Sequence, residues 1–176
     1  MRVPPGPPLA PMVARIAEAL ASDDVAGTRD ASQALTDALT ARFGLPPIAV
    51  AVLSTRPLLR DGDLYGLYEP AGKRRPIRIS VWMRTARRNQ VVAFRTFLRT
   101  LLHEFCHHLD YELYQLPETF HTEGFYKRES RTCFIYRRVM RCGQDGPDAR
   151  RPTKAICRYG LGGQRRSRPS WPQPAG

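Results

Sequence analysis

Between residues 89 and 116 the apolar side chains recur at helical spacing. At about 100° per residue, Val91, Phe94, Leu98, Leu101, Phe105 and Leu109 gather on one side, with Thr96, Arg99, His103 and His107 on the other. The pattern predicts one long amphipathic helix over 89–116, ended by Pro117, which disfavours helical geometry in the residue before it. Shorter helical patterns cover 12–21 and 32–43, the second stopped by Gly44. Strands are expected at 48–53, at 65–69 and at 77–83, where Ile77, Ile79 and Val81 alternate with Arg78 and Ser80. A turn-rich segment over 70–75 joins the last two. A closing helix should start near Thr122, whose hydroxyl can cap it, and run through Cys133, Phe134 and Val139 to residue 140. There is no internal repeat. The order predicts an α+β domain, a small mixed β-sheet packed on the long helix.

Composition narrows the limits of that domain. A chain of 176 residues that is 42% hydrophobic can bury one core. Residues 1–11 hold five prolines, and residues 143–176 are rich in Pro, Gly and Arg. Both ends are expected to be disordered, leaving 12–142 as the folded unit. No apolar run reaches the roughly eighteen residues of a membrane span, and the Pro-rich start does not have the make-up of a signal peptide. A cytoplasmic protein with no membrane contact is expected. The four cysteines are scattered, which suits reduced thiols, and Cys106 is read as a small buried residue.

The polar face of the long helix carries the chemistry. Residues 103–107 are His103, Glu104, Phe105, Cys106 and His107, an HExxH pattern. Side chains four apart on a helix share a face, so both imidazoles can ligate one Zn²⁺ with Glu104 beside them as general base. A catalytic zinc site normally takes three protein ligands and keeps a fourth position for water. Of the four histidines, His121 is the only one distant from the motif and is the favoured third ligand; Glu118, Glu123 and Glu129 are the competitors. The expected reaction is hydrolysis by water that the metal acidifies, with Glu104 taking its proton and passing it to the leaving amine. Asp110 lies about 20° from His103 on the helical wheel and is a candidate for orienting a ligand histidine. His108 points about 140° away and is read as structural. Tyr111, Tyr126 and Arg128 are weak candidates for stabilising an oxyanion.

Taken together, His103-Glu104-Phe105-Cys106-His107 and the later His121-Thr122-Glu123-Gly124-Phe125 resemble the SprT-like branch of the zincin metallopeptidases. Members of that group carry an HExCH-type helix followed by a His-Gly-x-x-aromatic segment that supplies the third ligand. Thr122 stands where the glycine would be. The resemblance spans about residues 28–140 and implies a minimal zincin-like fold, one zinc per chain and a protein or peptide substrate. Many members add a zinc ribbon of two cysteine pairs. Here only Cys142 and Cys157 follow the domain, too few for a second, structural zinc.

Charge adds a further expectation. The formal +12 comes mostly from Arg, a bias that a GC-rich codon usage produces unaided. Its distribution is uneven, however: residues 70–103 contain nine basic side chains and no Asp or Glu. In zincins the edge strand borders the cleft, so the resemblance implies a positive rim built from Lys73, Arg74, Arg75, Arg78 and Arg99. Such a rim would attract DNA or RNA phosphates, as suits a protease of nucleic-acid-associated proteins. Two other readings stay open. One is a different zincin branch that cleaves a single regulatory protein, and the other is a catalytically idle, metal-containing nucleic-acid-binding module.

Overall fold

The computed structural model describes residue 6 and residues 8–59, 62–72 and 75–140. The segment 143–176, Cys142 and Cys157, and two of the expected rim residues, Lys73 and Arg74, lie outside the described residues.

Helix α1 (Ala10–Ala21) carries a proline in its first turn, where its missing N–H costs no hydrogen bond. Leu9, Val13, Ile16 and Leu20 are buried, so the chain belongs to the fold from Leu9 onward and not only from residue 12. Helix α2 (Val25–Phe43) begins well before the predicted residue 32. Asp24 caps it by accepting from the Gly27 amide at 2.9 Å, and Gly44, at φ 61°, ends it. Its buried face is built largely of Thr28, Ala31, Ser32 and Thr36, small and polar positions that leave little hydrophobic signal in the sequence.

Five strands follow: β1 (Ala49–Thr55), the short pair β2 (Leu58–Leu59) and β3 (Gly62–Asp63), β4 (Gly66–Glu69) and β5 (Arg78–Arg84). The main sheet has the order β1-β5-β4, with β1 parallel and β4 antiparallel to β5. The strand that carries Arg78, β5, is therefore central and not the expected edge. The edge next to the motif helix is β4. With partners on both sides β5 is buried across residues 79–83, and Ser80, expected on a polar face, is 6% exposed. The outer edge of β1 is engaged by α2. Gln33 donates to the Ile48 carbonyl and accepts from the Val50 amide, both at 2.8 Å, so its side-chain amide stands in for a strand.

Helix α3 (Phe94–His108) starts five residues later than the periodicity predicts. Asn89, at φ 49°, closes a turn after β5; Val91 bridges Arg84, and the Val92 amide bonds the Met83 carbonyl at 2.8 Å. Pairing with β5 claims this β-branched segment in spite of its helical spacing. At its other end α3 widens into a π-helical turn, Leu109–Leu113, and Gln115, at φ 52°, reverses the chain before Pro117 is reached. Helix α4 (Glu123–Met140) is capped by Thr122, whose hydroxyl accepts from the Phe125 amide at 3.3 Å.

The chain is thus α+β, four helices and a small three-stranded mixed sheet among the described residues. Phe97, Leu98, Leu101 and Phe105 of α3 and Leu109 of the π-helical turn join Leu35, Leu39, Ile79 and Val81 in one core. The opposite face of α3 is covered too. His103, Glu104 and His107 are all nearly inaccessible, because α4, strand β4 at Gly66 and Thr119 of the following loop lie against this face. No described helix is long and apolar enough to cross a membrane.

Candidate metal centre

His103 and His107 stand one turn apart on α3, and the chain reversal at Gln115 brings His121 back to meet them. One ligand atom from each of the three lies within 4.8 Å of the others, a cluster that could hold a metal ion. His121 Nε2 is 3.0 Å from His103 Nε2 and 3.3 Å from His107 Nε2. Two ligands about 2.0–2.1 Å from a tetrahedral zinc are separated by about 3.3–3.4 Å. Phe125, fully buried, packs under all three imidazoles, with centroids 4.8, 4.5 and 5.0 Å from His103, His107 and His121.

Hydrogen bonds behind the rings decide which nitrogen carries the proton. His107 Nδ1 is 2.8 Å from Thr119 Oγ1, and that hydroxyl donates to Asp110 Oδ2 at 2.8 Å. A threonine has one proton to give, and Asp110 receives it, so Nδ1 of His107 must be the donor to Thr119. In a neutral ring its Nε2 is then a bare acceptor. His103 Nδ1 lies 3.4 Å from Glu129 Oε1, a carboxylate that can only accept, which leaves the Nε2 of His103 bare as well. His121 has at most one proton on Nε2 to share between two facing lone pairs. A cation common to the three nitrogens resolves that conflict, and an all-imidazole donor set suits zinc better than the hard, oxygen-seeking Mg²⁺ or Ca²⁺.

Electrostatics point the same way. Burial, reinforced by His103 and His121, pushes His107 down to about 2. Burial and then His103 lower His121, against a smaller opposing pull from Glu129. Burial thus favours in both rings the neutral imidazole that a metal ligand needs. Burial alone would raise the Glu129 carboxyl, but its hydrogen bond with His103, followed by its hydrogen bond and charge contact with Arg99, holds it below the usual carboxylate range.

Glu104 is 1% exposed and meets the sheet at Gly66. A Cβ at Gly66 would stand 2.4 Å from Glu104 Oε1, so β4 approaches the carboxylate more closely than any other residue type permits. An isolated glycine in a strand pattern is the sequence signal of such an approach. Thr119 had no sequence signal at all.

Several other candidates lie elsewhere. Glu118 and Glu123 are exposed, Glu123 pairing with Lys127, while Glu129 sits behind His103 and not among the ring nitrogens facing His121. Asp110 reaches His107 only through Thr119 and is held by Arg128 in a two-pronged pair, Nε to Oδ1 at 2.7 Å and a terminal nitrogen to Oδ2 at 2.8 Å. That pairing commits Arg128, a weak oxyanion candidate, to Asp110. Tyr111 stacks on Tyr68, and Tyr126, half exposed, lies 6.0 Å from the His121 ring. His108 is buried, with Nδ1 3.2 Å from the Tyr68 hydroxyl and Nε2 3.2 Å from the Pro46 carbonyl, a structural bridge. Of the expected basic rim, Arg75 and Arg78 are exposed, with Arg78 across from Glu69 in the sheet. Arg99 instead pairs with Glu129 at 3.1 Å, so its charge serves the histidine cluster.

Comparison with family models, curated proteins and solved structures found no match.

Proposed function

We propose that the chain is a zinc-dependent peptidase on a minimal zincin-like plan, similar to the SprT-like enzymes. The observation that carries this reading is the meeting of the His103, His107 and His121 Nε2 atoms beside a buried Glu104. A zinc ion held by the three histidines would lower the pKa of a bound water and polarise a substrate carbonyl. Glu104, one residue from His103 on α3, accepts the water proton and delivers it to the leaving amine. A purely structural metal site has no use for that carboxylate, which weighs against an idle binding module. The β4 edge supports a polypeptide substrate: an extended segment added there would run past Gly66 and so past Glu104. Cys106, a buried thiol that donates to the Thr132 hydroxyl, suits a reducing, cytoplasmic setting.

The test pairs metal analysis with one conservative substitution. Wild type and Glu104→Gln should each hold one zinc per chain, while hydrolysis of an unstructured casein substrate falls at least about 10²-fold in the variant. Equal activity of the two proteins would remove Glu104 from the reaction. A wild type that takes up no zinc on reconstitution would end the proposal.

A further inference from the structure

Besides the ring of Phe125, helix α4 brings two consecutive residues of opposite charge to the groups around the cluster. Arg128 holds Asp110, which receives the Thr119 proton and so makes Thr119 an acceptor for His107; Glu129, held by Arg99, faces His103. Each chain of contacts starts at an arginine, passes through a carboxylate that is nearly inaccessible and ends on the Nδ1 of a different histidine of the cluster. They differ in one respect: Glu129 acts directly, whereas Asp110 acts through a buried hydroxyl, and Thr119 is 2% exposed.

We propose that Thr119 with Asp110, and independently Glu129, are positioning residues that fix the Nδ1–H tautomers of His107 and His103 and thereby set the affinity of the site for its metal. The proposal rests on the metal-site part of the zinc-peptidase reading and not on peptidase activity. Its reason is proton geometry. An imidazole that turns over or shifts its proton to Nε2 points an N–H at the place a cation must occupy. The Thr119 and Glu129 contacts prevent both, and outer partners of this kind typically contribute about 10–100-fold in metal affinity. The contacts also explain why α4 presents Arg128 and Glu129 side by side: docking α4 on α3 completes both chains together.

The experiment measures zinc affinity by competition with a chromophoric chelator, and the visible spectrum of the cobalt-substituted protein, for wild type, Thr119→Val, Thr119→Ser and Glu129→Gln. Each metal-free protein is first checked for cooperative thermal unfolding. Thr119→Val keeps the shape and removes the relay, so affinity should fall about 10–100-fold and the cobalt bands should shift; Thr119→Ser, which restores the hydroxyl, should return both to wild type. Glu129→Gln, which can accept but without charge, should fall between. Should Thr119→Val fail to fold, Thr119→Ala takes its place with the same expected and refuting outcomes, and Glu129→Gln tests the second chain independently. Thr119→Val or Glu129→Gln binding zinc as tightly as wild type, with unchanged cobalt bands, would overturn the role of that residue. Failure of Thr119→Ser to recover where Thr119→Val is weakened would reduce Thr119 to a packing role. Absence of metal in the wild type would instead sink the zinc reading itself, while weakened variants of a protein without peptidase activity would uphold this inference alone.

Discussion

Replacing Gly66 by alanine tests whether the sheet holds Glu104 in a working position. The backbone of Gly66 does not require glycine, since Gly44 is the only described glycine at positive φ, so any effect of the substitution is steric. The new Cβ would lie 2.4 Å from Glu104 Oε1, 2.7 Å from its Cγ and 2.8 Å from Thr100 Cγ2. Because ordinary contacts begin at 3.4 Å, the Glu104 side chain must retreat by about 1 Å. Rotating the carboxylate relieves the first contact and leaves the Cγ clash, and Thr100 closes the other side. A displacement of about 1 Å at a catalytic group costs about 10²-fold in rate. Overpacking at this buried position should also cost about 1–3 kcal/mol of stability. The three atoms nearest the new methyl belong to Glu104 and Thr100 and not to the histidine cluster, so zinc should remain stoichiometric. The assay is kcat and KM on a quenched fluorescent casein, with zinc content and thermal unfolding measured on the same preparations. The expected result is a fall in kcat with zinc retained. Activity within about twofold of wild type would refute the reasoning, because Glu104 would then tolerate displacement. Loss of zinc along with activity would refute it as well, since the effect would then lie in the ligands.

His121→Ala should lose stoichiometric zinc at neutral pH, checked by metal analysis after dialysis against a weak chelator; undiminished binding would exclude His121 as a ligand and turn attention to the carboxylates. Burial pushes His108 down to about 4, against a smaller opposing effect of its bond to the Pro46 carbonyl. Between that value and its ordinary 6.5 the unfolded chain binds the extra proton, so His108 costs stability as pH falls through this window. The stability advantage of wild type over His108→Gln in urea titrations of the zinc-free protein should therefore narrow from pH 7 toward pH 4.5; a constant gap would mean that His108 is not held neutral. If exposed arginines bind nucleic acid, Arg75→Gln with Arg78→Gln should flatten the log–log salt dependence of DNA binding by about 0.7–0.9 per lost phosphate contact, read by fluorescence anisotropy. Unchanged slopes would remove these two residues from the interface.

The sequence by itself carried the local chemistry. HExxH places two histidines on one helix face with a glutamate beside them through helical periodicity alone, because a spacing of four on a helix has one geometric outcome. His121 followed from the small number of histidines, and the α+β order followed from apolar spacing. What sequence could not decide was everything settled by partners distant along the chain. The predicted helix start at 89 gave way to pairing with β5, and Ser80 became buried because its strand is central, neither of which a local pattern encodes. Arg99 looks like a free surface charge until Glu129, thirty residues on, meets it. Glu129 looked like a competing ligand until α4 set it behind His103, and Thr119 has no pattern of its own. Proton positions on the histidines depend on which group faces each ring, and only the packing of α4 and the 114–122 loop against α3 brings those groups together.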